Sequence, residues 1–177
     1  MNPGAGAPRV RRLHEPDAAA YHALRIRALR EHPDAFTSSF EEEQGRPLAW
    51  AEARLRDDAF RPHDFFLGAF ADGALAGIVG LQGRYRPKER HNATVVGMFV
   101  APELAGRGLG RALMNELLAR SRALAGLAQL DLTVTEGNHA AQALYAGCGF
   151  TVFGRQPNAI RLDGREFAKL HMLLRLR

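Results

Sequence analysis

Apolar and polar positions follow one another along this chain in two rhythms, and each change of rhythm marks a new element. PRVRRL alternates weakly and predicts a first strand. In EPDAAAYHALRIRALREHP, Tyr21, Leu24, Ala28 and Leu29 recur on one side between a Pro-Asp start and Pro33, which predicts an amphipathic helix. DAFTSSFEEEQGRP reads as a loop with an acidic knot, and LAWAEARLRDD as a second, shorter helix. The rhythm then turns β-like. DFFLGAFADGALAGIVGLQGRYR forms two runs hinged at Asp72-Gly73, a hairpin signal. HNATVVGMFVAP is β-branched and apolar, the mark of a buried central strand ending at Pro102.

From Gly108 onward Leu109, Leu113 and Leu117 recur every four residues, a helix to about Leu124. LAQLDLTV is a further strand. NHAAQALYAGCGF is a helix capped by Asn138 and closed by Gly149. FTVFGR and FAKLHMLLRL close the chain as a pair around the turn LDGR. The predicted order is β-α-α-β-β-β-α-β-α-β-β: an α/β (α+β) fold with a mixed sheet and helices on both faces. Residues 1–8 read as a loose tail and residues 9–177 as a single domain, a size that 177 residues support.

Composition narrows the function classes. With 46% hydrophobic residues the chain can bury a sizeable core, and no apolar run approaches the roughly 20 residues of a membrane span. The N-terminal stretch has no apolar core that would serve as a secretory signal. Cys148 is the only cysteine, which rules out an internal disulfide and fits a cytoplasmic location. The seven histidines are scattered with no i, i+4 pair, so no metal site is expected. A net charge of +5 raises the question of nucleic acid. The basic residues, all arginine except Lys88 and Lys169, spread over the whole chain instead of gathering on one helix. The surface should attract anions, and a phosphate-bearing cosubstrate meets that condition as well as a nucleic acid does. No nucleic-acid or membrane partner is expected.

The stretch FVAPELAGRGLGRAL carries the chemistry. A buried strand runs almost directly into a helix, whose first four N–H groups have no internal partner and lie at the positive end of the helix dipole. Gly106, Gly108 and Gly110 remove Cβ atoms from the junction and permit positive φ in the loop, while Arg107 and Arg111 add charge. This is the construction of a pyrophosphate cradle. The spacing is G-x-G-x-G, so the dinucleotide fingerprint G-x-G-x-x-G does not match, although Asp131 lies 21 residues beyond Gly110. The Gly-Lys-Ser/Thr of nucleoside triphosphatases is absent.

These residues resemble the GNAT acetyltransferase superfamily, which binds acetyl-CoA. VAPELAGRGLGRALM is similar to the family's R/Q-x-x-G-x-G/A motif, with Gly108 and Gly110 in place and Ala105 where the family has Arg or Gln. That departure removes a side chain and keeps the backbone donors. NHAAQALYAGCGF is similar to the family's N-x-x-A-x-x-x-Y-x-x-x-G-F block, matched by Asn138, Ala141, Tyr145, Gly149 and Phe150. The resemblance implies a mostly antiparallel sheet of about six to seven strands. It implies that the backbone of Met98, Phe99 and Val100 pairs with the pantetheine arm, that Asn138 and Ala141 lie beside it, and that Tyr145 donates a proton to the departing sulfur. The implied reaction moves an acetyl group from acetyl-CoA directly to a primary amine of a small molecule or peptide. A homodimer is within what the resemblance allows.

The general base is not evident. The central strand carries no carboxylate, His91 opens it at an exposed end, and Glu103 adjoins the phosphate loop as a surface residue. Base catalysis through ordered water, or an amine of low pKa, stays open. Glu41, Glu42 and Glu43 are candidates to attract a cationic amine, and Arg25 and Arg27 to select a carboxylate-bearing one. Cys148 has no partner for a triad and reads as a small buried hydrophobe. Two other classes compete with an enzyme: a catalytically silent acyl-CoA-binding module of the same fold, and a basic nucleic-acid-binding domain.

Overall fold

The computed structural model describes residues 8–176, so the tail expected over 1–8 falls almost wholly outside the described residues. The elements are β1 (Arg9–Arg12), α1 (Ala18–Glu31), α2 (Phe40–Glu43), α3 (Leu48–Leu55), β2 (Phe65–Ala71), β3 (Ala74–Gly83) and β4 (Asn92–Val100), followed by α4 (Leu109–Ala123), β5 (Gln129–Thr135), α5 (His139–Gly147), β6 (Thr151–Leu162) and β7 (Arg165–Arg175). The strands form one seven-stranded sheet of order β1-β2-β3-β4-β5-β7-β6. Every neighbouring pair is antiparallel except β4 with β5.

The order matches the one read from the sequence, with one addition. α2 lies inside the stretch expected to be a loop. Its cause is local: the Ser39 hydroxyl accepts from the Glu42 N–H at 3.2 Å, and the Glu42 carboxylate accepts from the Ser39 N–H at 2.6 Å. This reciprocal capping box satisfies two backbone donors that would otherwise be orphaned. The expected hairpins close as two-residue turns, with Asp72-Gly73 at φ 49° and 81° and Asp163-Gly164 at φ 49° and 74°. β6 runs further than the sequence pattern suggests, through Pro157 and the positive-φ Asn158. It lies at the sheet edge, where a proline removes no ladder bond.

Strand alternation sends side chains to two cores. Phe65, Leu67 and Ala69 of β2 join Leu113, Met114 and Leu117 of α4 on one face, while Phe66 joins Tyr21, Leu24 and Leu55 of α1 and α3 on the other. Each fully buried leucine contributes about 1.5–3 kcal/mol relative to an exposed one. Those two layers hold β4 in the middle of the sheet; Ala93, Val95 and Phe99 are buried as its composition predicts, while Thr94, Val96–Met98 and Val100 are only half-buried.

Candidate active site

β4 and β5 are zipped only at their beginnings, at Asn92↔Gln129, Ala93↔Leu130 and Thr94↔Asp131. β5 continues beside β7 as far as Thr135↔Lys169, whereas β4 leaves it. The departure has a visible cause. Between Ile78↔Phe99 and Gly80↔Val96, β4 advances three residues against two on β3, a bulge that places Gly97 at φ 63°. A bulge bends its strand and re-aims the following residues, and glycine takes this conformation without the strain another residue would carry. Between the parted strands lies a cavity of about 400 Å³.

On one side the cavity is lined by Met98 of β4 and by Asn138, Ala141 and Tyr145 at α5. Asn138 is the helix cap the sequence predicts: its side-chain oxygen accepts from the Ala141 N–H at 3.2 Å. Tyr145 stands two turns along the same helix, 7% exposed, its ring edge-on to Phe150. Burial, with Cys148 adding in the same direction, pushes its phenol above the ordinary tyrosine value. It therefore stays protonated throughout the neutral range. Gly149 at φ 95° ends the helix and returns the chain to Phe150, which explains the Gly-Phe pair at the end of the motif.

α4 begins next to this side of the cavity. Gly108 is its N-cap in the left-handed region at φ 80°, and Gly106 precedes it at φ 76°. A Cβ on either would meet no atom within 4 Å, so the approach to the helix N-terminus is open. The geometry fits an anion at the first-turn N–H groups. Gly110 departs from expectation, because it lies within the helix and not in the loop. A Cβ there would stand 3.3 Å from Leu144 and 3.5 Å from Met98, so this glycine brings α4 close to α5 and β4. Arg107 is exposed, as is Ala105. Arg111 differs from the free charge expected: its guanidinium donates to Cys148 Sγ at 3.3 Å and covers Gly147. Cys148 is correspondingly half-buried and hydrogen-bonded, not the buried hydrophobe read from the sequence, and burial raises its thiol pKa against the pull of Arg111.

The other side of the cavity is polar. Arg25 of α1 and Glu43 of α2, both buried, meet there as a bidentate pair at 2.9 and 2.8 Å. The sequence offered these two residues as rival selectors of the acceptor; the fold joins them to each other. Burial works to raise the Glu43 carboxyl, but the hydrogen bonds and charge of Arg25, with help from Ser38 and Arg54, hold it below the usual carboxylate range. Of the other acids in that run, Glu42 is engaged in the capping box and Glu41 is exposed. Arg27 points elsewhere, to Glu31 and Glu103 on the surface. His91 sits at the zipped end of β4, beside the Asn92 amide and away from the opening. Asp131 is held by Arg84 and accepts from the Thr94 hydroxyl at 2.7 Å, which leaves it no ribose-binding role.

Three lining residues went unnoticed in the sequence. Lys169 of β7 is buried and donates to the Thr37 hydroxyl at 2.9 Å. Arg54 of α3 donates to the Tyr21 hydroxyl at 3.1 Å and lies over the rings of Trp50 and Phe66. Thr135 donates to the Asp34 carbonyl at 2.7 Å, fastening the segment after α1 to the end of β5. Among the described residues no group of three or more His, Cys, Asp or Glu side chains is placed to hold a metal ion.

The parted strands beside a bare helix N-terminus match known proteins. A family model described as "Acetyltransferase (GNAT) family" matches residues 15–150. This chain belongs to the GNAT acetyltransferase family. The GNAT chain is 34% identical to the N-alpha-acetyltransferase RimI of Mycobacterium tuberculosis, over 66% of this chain and 71% of that protein. It is 34% identical to the mycothiol acetyltransferase of Salinispora arenicola over 80% of this chain, and spans only 44% of that longer protein. Its fold superposes on the acetyl-CoA complex of yncA, a putative acetyltransferase from Salmonella typhimurium, with a TM-score of 0.78 and 24% identity, covering 97% of this chain and 95% of that one. As a GNAT acetyltransferase it transfers an acetyl group from acetyl-CoA to an amine.

Proposed function

We propose that acetyl transfer takes place in the cavity between β4 and β5, directly and without a covalent enzyme intermediate. The observation that carries this reading is the meeting of three features at one opening: the parted strands, the open N-terminus of α4, and the buried Tyr145 hydroxyl. In this reading the N–H groups around Gly108 and Gly110 hold the CoA diphosphate, with Gly106, Arg107 and the backbone at Ala105 around it. The Met98–Val100 backbone pairs with the pantetheine arm as an added strand would. Arg111 acts indirectly, by fixing the end of α5 that carries Tyr145, and Asn138 and Ala141 flank the arm.

The amine nitrogen attacks the thioester carbonyl carbon; the N–C bond forms and the C–S bond breaks. The departing sulfur takes its proton from the Tyr145 hydroxyl, whose raised pKa keeps that proton available at neutral pH. The attacking nitrogen loses its proton through water, since Glu43 is committed to Arg25 and is a poor base, and water returns that proton to the Tyr145 oxygen, which restores the phenol. The acceptor is a primary amine of a small molecule or peptide, presented to the thioester in this cavity. A panel of small amines and short peptides assayed by release of CoA thiol tests the reading. Turnover with at least one amine is the expected result. Acetyl-CoA-dependent stabilisation without thiol release overturns it in favour of a silent acyl-CoA-binding module, a reading that Ala105 and the missing free carboxylate support. The proposal includes a homodimer, supported by the exposed Val152 and Phe153 on edge strand β6 and tested by sedimentation equilibrium. It also includes action in the cytoplasm, supported by the lone cysteine and tested by cell fractionation.

A further inference from the structure

The acceptor side of the cavity has an uneven charge inventory. Its charged lining residues among those described are Arg25, Arg54, Lys169 and Glu43. The Arg25–Glu43 pair is closed on itself by two short hydrogen bonds. Lys169 has no such partner, its contact being the Thr37 hydroxyl; Arg54 donates to the Tyr21 hydroxyl, lies over two aromatic faces, and its charge acts on the already paired Glu43. Both hydrogen bonds are to neutral groups. An ammonium has three donors, and Lys169 is 8% exposed with one donor satisfied. A buried cation without a counter-charge is costly and is normally paired. An anion entering this cavity would supply the counter-charge that Lys169 lacks.

We propose that the acceptor is an amine that also carries an oxyanion, such as a carboxylate, and that Lys169 and Arg54 receive that oxyanion as specificity-determining residues. The proposal rests on the preceding reading that the cavity binds the acceptor. Two features beyond the charge count support it. Lys169 is fixed by strand pairing to Thr135 and by its bond to Thr37, so its ammonium is already placed on the cavity wall before a ligand arrives. Burial also lowers its pKa, a penalty that an oxyanion in the cavity would relieve. The opposite arrangement, a carboxylate to attract a plain cationic amine, is removed by the closure of Glu43 on Arg25.

Matched sets of acceptors test this: L-leucine, L-methionine and L-glutamate, each against its amide and its decarboxylated amine. Binding to the protein saturated with CoA is read by calorimetry, and acetylation by thiol release. Two charge-assisted contacts predict that the free acid binds at least about 30-fold more tightly than its decarboxylated amine in at least one set. Lys169→Met is expected to raise the acid's Kd and KM about tenfold or more, to leave its KM for acetyl-CoA unchanged, and to erase most of the preference over the decarboxylated amine. Lys169→Arg is expected to restore that preference, which repair of a merely structural contact would not do. Loss of an unpaired buried cation should not lower the melting temperature, so Lys169→Met remains a folded probe. Equal binding of acid, amide and amine in all three sets overturns the inference, as does tighter binding of the uncharged forms. An acid preference in binding without thiol release sustains it and overturns the proposed function instead.

Discussion

Tyr145 illustrates how much of a residue's chemistry its neighbours decide. A phenol in water loses its proton near pH 10, yet this one is almost wholly enclosed and sits close to Cys148. Both effects disfavour the phenolate, so the phenol keeps its proton through the neutral range, as the proposed role of donor requires. We expect Tyr145→Phe to lower kcat about 10²–10⁴-fold with little change in KM for acetyl-CoA, measured by thiol release. We also expect the wild-type rate to show no loss from Tyr145 ionisation below pH 10. Equal activity of the two proteins would remove Tyr145 from the reaction. Glu43 shows the reverse perturbation. Its folded pKa lies below the unfolded value, so its contribution to stability is complete above about pH 4.3 and is lost as pH falls through the folded pKa. Glu43→Gln leaves Arg25 as a second uncompensated buried charge, at a cost of about 3–5 kcal/mol. Calorimetry should show a melting temperature roughly 10 °C lower at pH 7, with the deficit shrinking in acid. A deficit independent of pH would mean that the pair does not account for it.

At the scale of elements, the junction between β4 and α4 separates two uses of glycine. Gly108 is the left-handed N-cap, where an alanine costs about 1–2 kcal/mol in strain and pulls the first-turn N–H groups from their present directions as that strain is relieved. Gly110 is helical, where alanine gains about 1 kcal/mol of propensity but must displace Leu144. Gly108→Ala should therefore weaken acetyl-CoA binding at least about tenfold, while Gly110→Ala changes it severalfold at most; isothermal calorimetry distinguishes them. Equal losses in the two variants would show that the positive-φ cap has no special role. These elements were legible in the sequence because their signals are local. The four-residue leucine spacing gave α4, Asn138 gave the start of α5, and Asp-Gly pairs gave both hairpin turns. Even α2 carries its Ser39-x-x-Glu42 signature, which the polarity of its surroundings concealed. What was not legible depends on distant partners. The bulge at Gly97 takes its place from the register of β4 on β3, and the lone glycine inside the strand is its only local signal. Arg25 meets Glu43 across 18 residues, so the two read as separate selectors, and Lys169 meets Thr37 across 132, so it drew no reading at all.

At the scale of the whole molecule, the net charge of +5 admits two readings, and a melting experiment distinguishes them. Arg11, Arg12, Arg27, Arg56, Arg61, Arg84, Arg120, Arg155 and Arg161 each lie in an ion pair with an acidic residue across the described surface. Exposed pairs of this kind stabilise little, but they neutralise the surface locally. The anion site proposed at the start of α4 is a point beside the cavity, not a track. A compact diphosphate should therefore stabilise the protein where a polyanion does not. Acetyl-CoA at a hundred times its Kd adds about 2.7 kcal/mol to the folded state, which for a chain of this size corresponds to a melting temperature raised by about 5–10 °C. Duplex DNA at the same phosphate concentration in 150 mM salt should leave the melting temperature unchanged. If the duplex raised it as far as acetyl-CoA does, and the rise collapsed with added salt, the arginines would form a nucleic-acid surface after all, and the helix N-terminus would lose its claim to be the principal anion site.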